Sequence, residues 1–387
     1  MTSAPFINAI LANLKAEREK RNVKPTELEE ALILGPGWIE RFESGATVPT
    51  LDMLLAILQS SKISLNDLLK GVELDDAPSE IERHIYAVPD GKDLNVHFKY
   101  ANFDAVYRLP KATTEEFEAV IKVLRDGLAR LVAPGEGDRE ALKTDAVAKC
   151  FLKAVKTWPH ANPSDLWWFL VGRAYCDPFN HPAQYARMSF EQSWKRTGGW
   201  ALEQVLVRHY GPTLAKKGIE IVIGTTEEKE NYLRRVKGVT DRLEADKADV
   251  LLLGKDKGQT FFFGVVHVKA SFAERRTDDV PMSKALVDAG YCSPLWTMDS
   301  KSGPAERPIN RGELGDALGS GADNRSAKRK DIEDDGYFSA CFSYNKLTKP
   351  TPEKQKSKGR IYVCDFTNPD DAFSKFVISH WQSFAHK

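Results

Sequence analysis

The chain has 387 residues, enough for two or three domains that each bury a core. Its 42% hydrophobic and 28% charged content is that of an ordinary soluble globular protein, and no apolar run approaches the roughly 20 residues of a membrane span. Lysine plus arginine and aspartate plus glutamate stand at 55 each, so a polyanion would have to be met by locally concentrated basic side chains, not by net charge. The N-terminus, Met1-Thr-Ser-Ala-Pro-Phe6, lacks the basic stretch and apolar core of a signal peptide. Cys150, Cys176, Cys292, Cys341 and Cys364 form no CxxC pair, which suits reduced, buried thiols in a cytoplasmic protein and argues against a zinc site.

In chain order, residues 1–77 read as a helical domain. One amphipathic helix is expected over 7–19, and a second starts at Pro25 with Thr26 as its cap. A third covers 38–43 and is closed by Ser44-Gly45, a fourth runs from Pro49 to 58, and a fifth covers 64–69. A polar linker follows at 75–79. Residues 78–136 read as a connector: alternation over 84–110 around Pro89-Asp90-Gly91 predicts a β-hairpin, and 114–131 an amphipathic helix, which together suit a dimer interface. From 137 to 387, helices to about 211 precede strands at 219–223, 248–253, 260–268, 294–298, 337–344 and 360–366. Helices fall near 280–290 and 370–384, and the pattern is α/β around a mixed sheet. The Gly-rich polar stretch 301–335 is too long for a simple turn, and its Arg307, Arg311, Arg325, Lys328, Arg329 and Lys330 read either as a phosphate-contacting arm or as a solvated basic loop.

The most informative stretch is Phe261-Phe-Phe-Gly-Val-Val-His-Val-Lys269-Ala-Ser271, a buried strand that ends by presenting Lys269 and Ser271. Ahead of it, Ala248-Asp249-Val-Leu-Leu-Leu253 is an apolar strand with an acid at its mouth. Taken alone, Asp249 could be a strand-edge solvator and Lys269 a snorkelling surface lysine. The pair resembles the centre of the PD-(D/E)xK phosphodiesterases, in which the acid holds Mg²⁺ against the scissile phosphate and the lysine orients the attacking water. Further upstream, Arg196, the Gly198-Gly199 pair and Glu203 resemble the first helix of many type II restriction endonucleases, which makes Glu203 a second metal ligand or a base and Arg196 a DNA contact.

After the lysine, Ser271-Phe-Ala-Glu274-Arg275-Arg276 resembles the segment with which CCGG- and CCNGG-cutting restriction enzymes read DNA. There an acid accepts from cytosine N4 and an arginine donates twice to guanine. Ala273 stands where that motif has its first arginine. Together with Asn162-Pro-Ser-Asp-Leu-Trp-Trp168, the segment is similar to the BsaWI-type endonucleases. His267 departs from the pattern, since the usual residue two before the lysine is Asp or Glu and Mg²⁺ prefers oxygen. In CCGG cutters an acid from the following helix, some dozen residues past the lysine, substitutes. Met282 or Ser283 stands there, with Asp278 and Asp279 as the nearest acids and Glu203 as another source. His267 itself reads either as a general base or as an inert strand-end residue.

The N-terminal helices resemble a Cro/C1-type helix-turn-helix domain over residues 7–69. The resemblance places Gly37, Trp38 and Glu40 at base edges and Arg41 near the backbone, a face poor in DNA-binding side chains. The alternative is a retained fold that serves dimerisation or regulation. Together the resemblances imply a Mg²⁺-dependent type II restriction endonuclease that cuts double-stranded DNA as a homodimer at a short two-fold site with C/G pairs. They also imply a cognate DNA methyltransferase in the same system. The competing readings are a helix-turn-helix transcriptional regulator with a C-terminal sensor domain and a repair-type nicking enzyme on the same fold.

Overall fold

The computed structural model describes residues 5–46, 51–72, 83–100, 103–132, 138–175, 187–236, 247–271, 276–300, 310–319 and 323–385. The chain forms two compact units, residues 1–82 with 178–193 and residues 83–177 with 194–387. Among the described residues no helix is long and apolar enough to cross a membrane. Cys150, Cys292, Cys341 and Cys364 are buried free thiols, and Cys176 lies outside the described residues.

The smaller unit contains α1 (Pro5–Lys20), α2 (Pro25–Ala31), α3 (Trp38–Glu43), α4 (Leu51–Ser60) and α5 (Leu65–Leu68), the five helices expected from the sequence. Leu14, Leu28, Ile39, Phe42, Ile57 and Leu68 build its core. The start of α2 differs from expectation. Pro25 occupies the first helical position, where its fixed φ and missing N–H are tolerated, so Lys24 is the cap and Thr26 lies inside the first turn. Gly37 turns the chain into α3 at a φ of +72°, and the Glu29 carboxylate accepts the Ile39 N–H at 3.0 Å to satisfy the opening turn. Arg18 grips the Glu43 carboxylate with two nitrogens (2.6 and 3.0 Å), tying α1 to α3. The polar linker at 75–79 and the expected start of α4 at Pro49 lie outside the described residues.

The larger unit opens with three antiparallel strands, β1 (Arg83–Asp90), β2 (Asp93–Tyr100) and β3 (Phe103–Leu109), where the alternation had suggested one hairpin. The period-2 pattern runs on through a second turn. Helix α6 (Thr114–Ala129), capped by Thr113, packs on α7 (Arg139–Thr157), and the Cys150 thiol donates to the Val120 carbonyl at 3.3 Å. Helices α8 (Pro163–Tyr175) and α9 (Arg187–Ala215) follow, and residues 194–215 of α9 belong to this unit.

The main sheet has the order β4 (Ile219–Val222), β5 (Val250–Asp256), β6 (Gln259–Lys269), β7 (Leu295–Thr297), β8 (Cys341–Ser343) and β9 (Ile361–Val363). The β4–β5 and β5–β6 pairs are antiparallel and β6 to β9 run parallel, so the sheet is mixed. Lys269, Thr297, Ser343 and Val363 end the parallel strands on one edge. Helix α10 (Thr226–Leu233) was not expected. Its Thr225 hydroxyl caps the Glu228 N–H at 3.2 Å, while the Glu228 carboxylate takes the Thr225 N–H at 2.8 Å. Helix α11 (Arg276–Asp288) lays Met282 and Leu286 against the β5–β6 strands, α12 is Ala327–Glu333 and α13 is Ala372–Ala385.

Candidate active site

The site is built where β5 begins and β6 ends. The two strands are antiparallel with Val250 opposite Val266, so the residue before β5 faces the residues that close β6. Asp249 therefore reaches across: its Oδ2 accepts the Val268 N–H at 2.7 Å and the Lys269 ammonium at 2.7 Å. From the other side, α11 brings the fully buried Asp279 to within 3.4 Å of the same ammonium. Asp279 lies one turn before Met282 and Ser283, so packing Met282 on the sheet turns the acid inward with it.

Two buried carboxylates around one buried ammonium leave a net negative charge, and a divalent cation is its electrostatic complement. Among the described residues no set of three or more His, Cys, Asp or Glu stands together as a ligand cluster. A hard oxygen pair still fits Mg²⁺, which is commonly bound through one or two protein carboxylates and completed by water and substrate phosphate.

His267 faces the interior and is fully buried. Its Nε2 pairs with the Ser293 hydroxyl at 3.0 Å, which in turn meets the Ser283 hydroxyl at 2.8 Å, and the ring stands edge-on to Phe338. Burial pushes its pKa down to about 4 against the pull of Asp249, so the imidazole is neutral.

Glu203 is buried on α9 and lines a cleft of about 500 Å³ with Glu140, Thr144, Asp145, Trp200 and Arg208; Asp249, Lys269 and Asp279 are not among the residues lining it. Arg208 holds Asp145 at 2.8 Å. Arg196 is exposed, with its guanidinium over the Trp200 ring at 5.7 Å.

Ser271 donates its hydroxyl to Glu313 at 3.0 Å. Arg276 opens α11, while Glu274 and Arg275 lie outside the described residues. In the smaller unit Trp38 packs against the core and Phe42, while Arg41 is exposed and donates to the Pro36 carbonyl at 3.2 Å.

Among the described residues, four of the basic side chains after position 301 are engaged by acids, while Arg311 is exposed. Arg329 is fully buried and paired with Glu333 at 2.8 Å, and Arg325 is held by Asp323, Glu333 and Asp334. Lys328 pairs with Glu313 and Lys330 with Asp323. These charges form an ion-pair network around α12 that is buried at Arg329 and Glu333 and exposed at its rim, and a guanidinium with no exposure cannot meet a phosphate. Arg307 lies outside the described residues.

The sequence singled out Asp249 and Lys269, and named Asp279 only as one of the nearest acids because the expected spacing was longer. The start of α11 at Arg276 is what shortens it.

No family model matches the chain. The type II restriction enzyme AgeI of Thalassovita gelatinovora is 39% identical over 243 residues, which span 61% of this chain and 83% of that enzyme. The crystal structure of a specific AgeI–DNA complex superposes with a TM-score of 0.60 at 32% identity, covering 77% of this chain and 99% of that one. A pre-specific BsaWI–DNA complex is 16% identical at a TM-score of 0.35, covering 70% and 94%, and adds no weight. The buried acid–lysine–acid arrangement at the edge of a mixed sheet thus sits in a chain that belongs to the type II restriction endonucleases, the sequence-specific enzymes that act on DNA.

Proposed function

We propose that this endonuclease hydrolyses phosphodiester bonds of double-stranded DNA with Mg²⁺ at the Asp249–Lys269–Asp279 centre. The observation that carries the reading is the single ammonium of Lys269 bracketed by two buried carboxylates at 2.7 and 3.4 Å. Asp249 and Asp279 would hold the ion, with Glu203 as a further carboxylate candidate. When bound, Mg²⁺ supplies charge neutralisation at the scissile phosphate and a lowered pKa for water.

The protein's own part is positional. Asp249 is itself fixed by the Val268 N–H and orients the Lys269 ammonium. The ammonium donates a hydrogen bond to the attacking water and to the phosphate oxygen where negative charge gathers. Water adds to phosphorus and gives up a proton to solvent as the bond to the leaving 3′ oxygen breaks, and that oxygen takes up a proton in turn. His267 is too deeply buried to touch substrate, so in this reading it fills the strand position with a neutral, hydrogen-bonded ring.

Base selection is assigned to Glu274, Arg275 and Arg276, with Ser271 and Arg196 as accompanying contacts, at a short two-fold site containing C/G pairs. A homodimer is the expected working form, since both strands of such a site are cut. A methyltransferase of the same specificity is its expected companion.

Residues 1–77 are assigned as a Cro/C1-type helix-turn-helix domain, supported by the five-helix order and the glycine turn into α3. Residues 78–136 are assigned as a connector and 137–387 as the nuclease domain. A regulator with a sensor domain leaves the buried trio without a role.

The test is cleavage of phage DNA with and without Mg²⁺ by the wild type, Asp249→Ala and Lys269→Ala. Discrete fragments that need metal and vanish in both variants are expected, and wild-type cutting by Asp249→Ala would refute the site.

A further inference from the structure

Beside the proposed catalytic trio, the carboxy edge of the parallel strands carries a second polar construction that uses none of its side chains. The pairing of β6 with β7 runs on past both strands: the Met298 N–H donates to the Lys269 carbonyl at 3.0 Å and the Ser300 N–H to the Ala270 carbonyl at 2.9 Å. Between them Asp299 sits at a φ of +43°, a region few non-glycine residues enter. Asp299 is 2% exposed, and both its carboxylate oxygens are engaged. Oδ1 accepts the N–H groups of Glu313 (2.7 Å) and Leu314 (3.2 Å), and Oδ2 accepts the Thr348 hydroxyl at 2.5 Å. Gly312, at a φ of +87°, lets the 310–315 loop close onto this carboxylate, where any Cβ would collide.

The loop so anchored delivers the Glu313 side chain, itself only 5% exposed. One carboxylate oxygen accepts the Ser271 hydroxyl at 3.0 Å and the other meets the Lys328 ammonium at 2.8 Å. Ser271 stands two residues after Lys269 and immediately before residues 272–275. Asp299 thus fixes Glu313, and Glu313 fixes the point at which the chain leaves the catalytic strand.

We infer that Glu313, anchored by Asp299, is a positioning residue that sets the catalytic lysine and the base-reading segment in register through Ser271. The inference rests on the reading of Lys269 as catalytic and of Glu274–Arg275 as base-reading. It follows from the short covalent distance between the two. Because residues 274 and 275 follow Ser271 within four positions of the chain, a small displacement of the strand end would carry to both against a DNA held by its backbone. Misplacement of about 1 Å is enough to lose on the order of a hundredfold in rate.

The experiment compares wild type, Ser271→Ala, Glu313→Ala, Glu313→Gln and the Ser271→Ala/Glu313→Ala double variant. It measures kcat and KM on cognate duplex and on duplexes with one base pair changed. Ser271→Ala and Glu313→Ala should each lower cognate kcat by about tenfold to a hundredfold, the usual effect of losing a hydrogen bond to a charged group. KM should move less, and the ratio of cognate to altered cleavage should narrow. The double variant should be no worse than Glu313→Ala, because the two substitutions remove one shared contact. Glu313→Gln, whose amide oxygen still accepts the serine hydroxyl, should recover most of the rate.

Multiplicative losses in the double variant would overturn the inference, as would a rise in KM with discrimination intact. Tighter DNA binding by Glu313→Ala would also overturn it, and would identify the carboxylate as a competitor for a phosphate site. Asp249→Ala separates the two levels. If it is inactive while Ser271→Ala and Glu313→Ala cut normally, only the positioning role fails. If it is active, the catalytic reading itself fails.

Discussion

Asp279 follows Lys269 by ten positions, yet its carboxylate lies 3.4 Å from the lysine ammonium because α11 folds directly back over the strand that ends there. The acid absent two residues before the lysine is thus matched by one from the next helix. Asp279→Asn should lower cleavage by about a hundredfold or more, the scale on which one electrostatic participant is lost. Raising Mg²⁺ should recover part of that loss but none of the loss in Lys269→Ala. Cleavage rates across a metal titration check this, and an Asp279→Asn enzyme with the wild-type metal dependence would remove the acid from the centre.

His267 should influence stability more than chemistry. Its folded pKa of about 4 lies below the unfolded value near 6.5, so the unfolded chain binds more protons in between. Stability then rises with pH through that window and is lost as pH falls from about 6.5 toward 4. The contribution is about 3 kcal/mol when fully expressed. His267→Asn should retain metal-dependent cleavage and remove this slope. Denaturant unfolding of both proteins at pH 7 and pH 4.5 gives the difference with other titrating groups cancelled, and parallel curves would show the ring to be protonated in the fold.

Removal of residues 1–77 should leave an enzyme that cuts the same sequence with weaker affinity at most. The α3 face offers Trp38, which is committed to its own core, and Arg41, which leans on the Pro36 carbonyl. Fragment patterns of the truncated and full chains on one phage genome should coincide, and new cut sites would show that the smaller unit selects bases.

Arg275→Ala should cost about 1–3 kcal/mol at one base pair of each half-site, and Glu274→Gln should relax selection at its neighbour. Binding to cognate, singly altered and random duplexes at two salt concentrations distinguishes this from phosphate contact. An arginine on phosphate would weaken every duplex alike and reduce the salt slope by about one.

Arg329→Ala should destabilise the fold by about 3 kcal/mol, because it breaks a buried ion pair with Glu333 and removes the hydrogen bonds to the carbonyls of Leu314, Gly315 and Lys349. DNA binding at permissive temperature should keep the wild-type salt slope, since the guanidinium has no exposure. Thermal unfolding and salt-dependent binding read the two effects separately.

The β4–β9 strands were legible because each is a short apolar run bounded by polar residues, and strands buried on both faces leave that signature. Asp249 and Lys269 were legible for the same reason: an antiparallel return puts the start of one strand beside the end of the next. Helix α10 was hidden because Leu233 is its only buried apolar residue, and its one signal was the Thr225–Glu228 capping pair. The ion-pair network around Arg329 was illegible for a different reason. Charged residues read as solvent-facing unless partners are known, and those partners come from Lys349 and Thr351 as well as from the same helix. Asp279 fell between these cases, visible as an acid but dependent on where α11 begins.

The hairpin of β5 and β6 turns at Lys257 and Gly258, both with positive φ, as a two-residue reversal between right-twisted strands requires. Asp249 and Lys269 are therefore joined by one local pairing, and Asp279 by the next turn of chain. Contacts between near neighbours in sequence close early and without a long loop to order. The three side chains of the proposed centre thus lie within one contiguous segment of chain. Whole modules added at the N-terminus leave that segment contiguous. The proposed base-reading residues lie between Lys269 and Asp279, so a change in what the enzyme recognises falls within the segment proposed to cut.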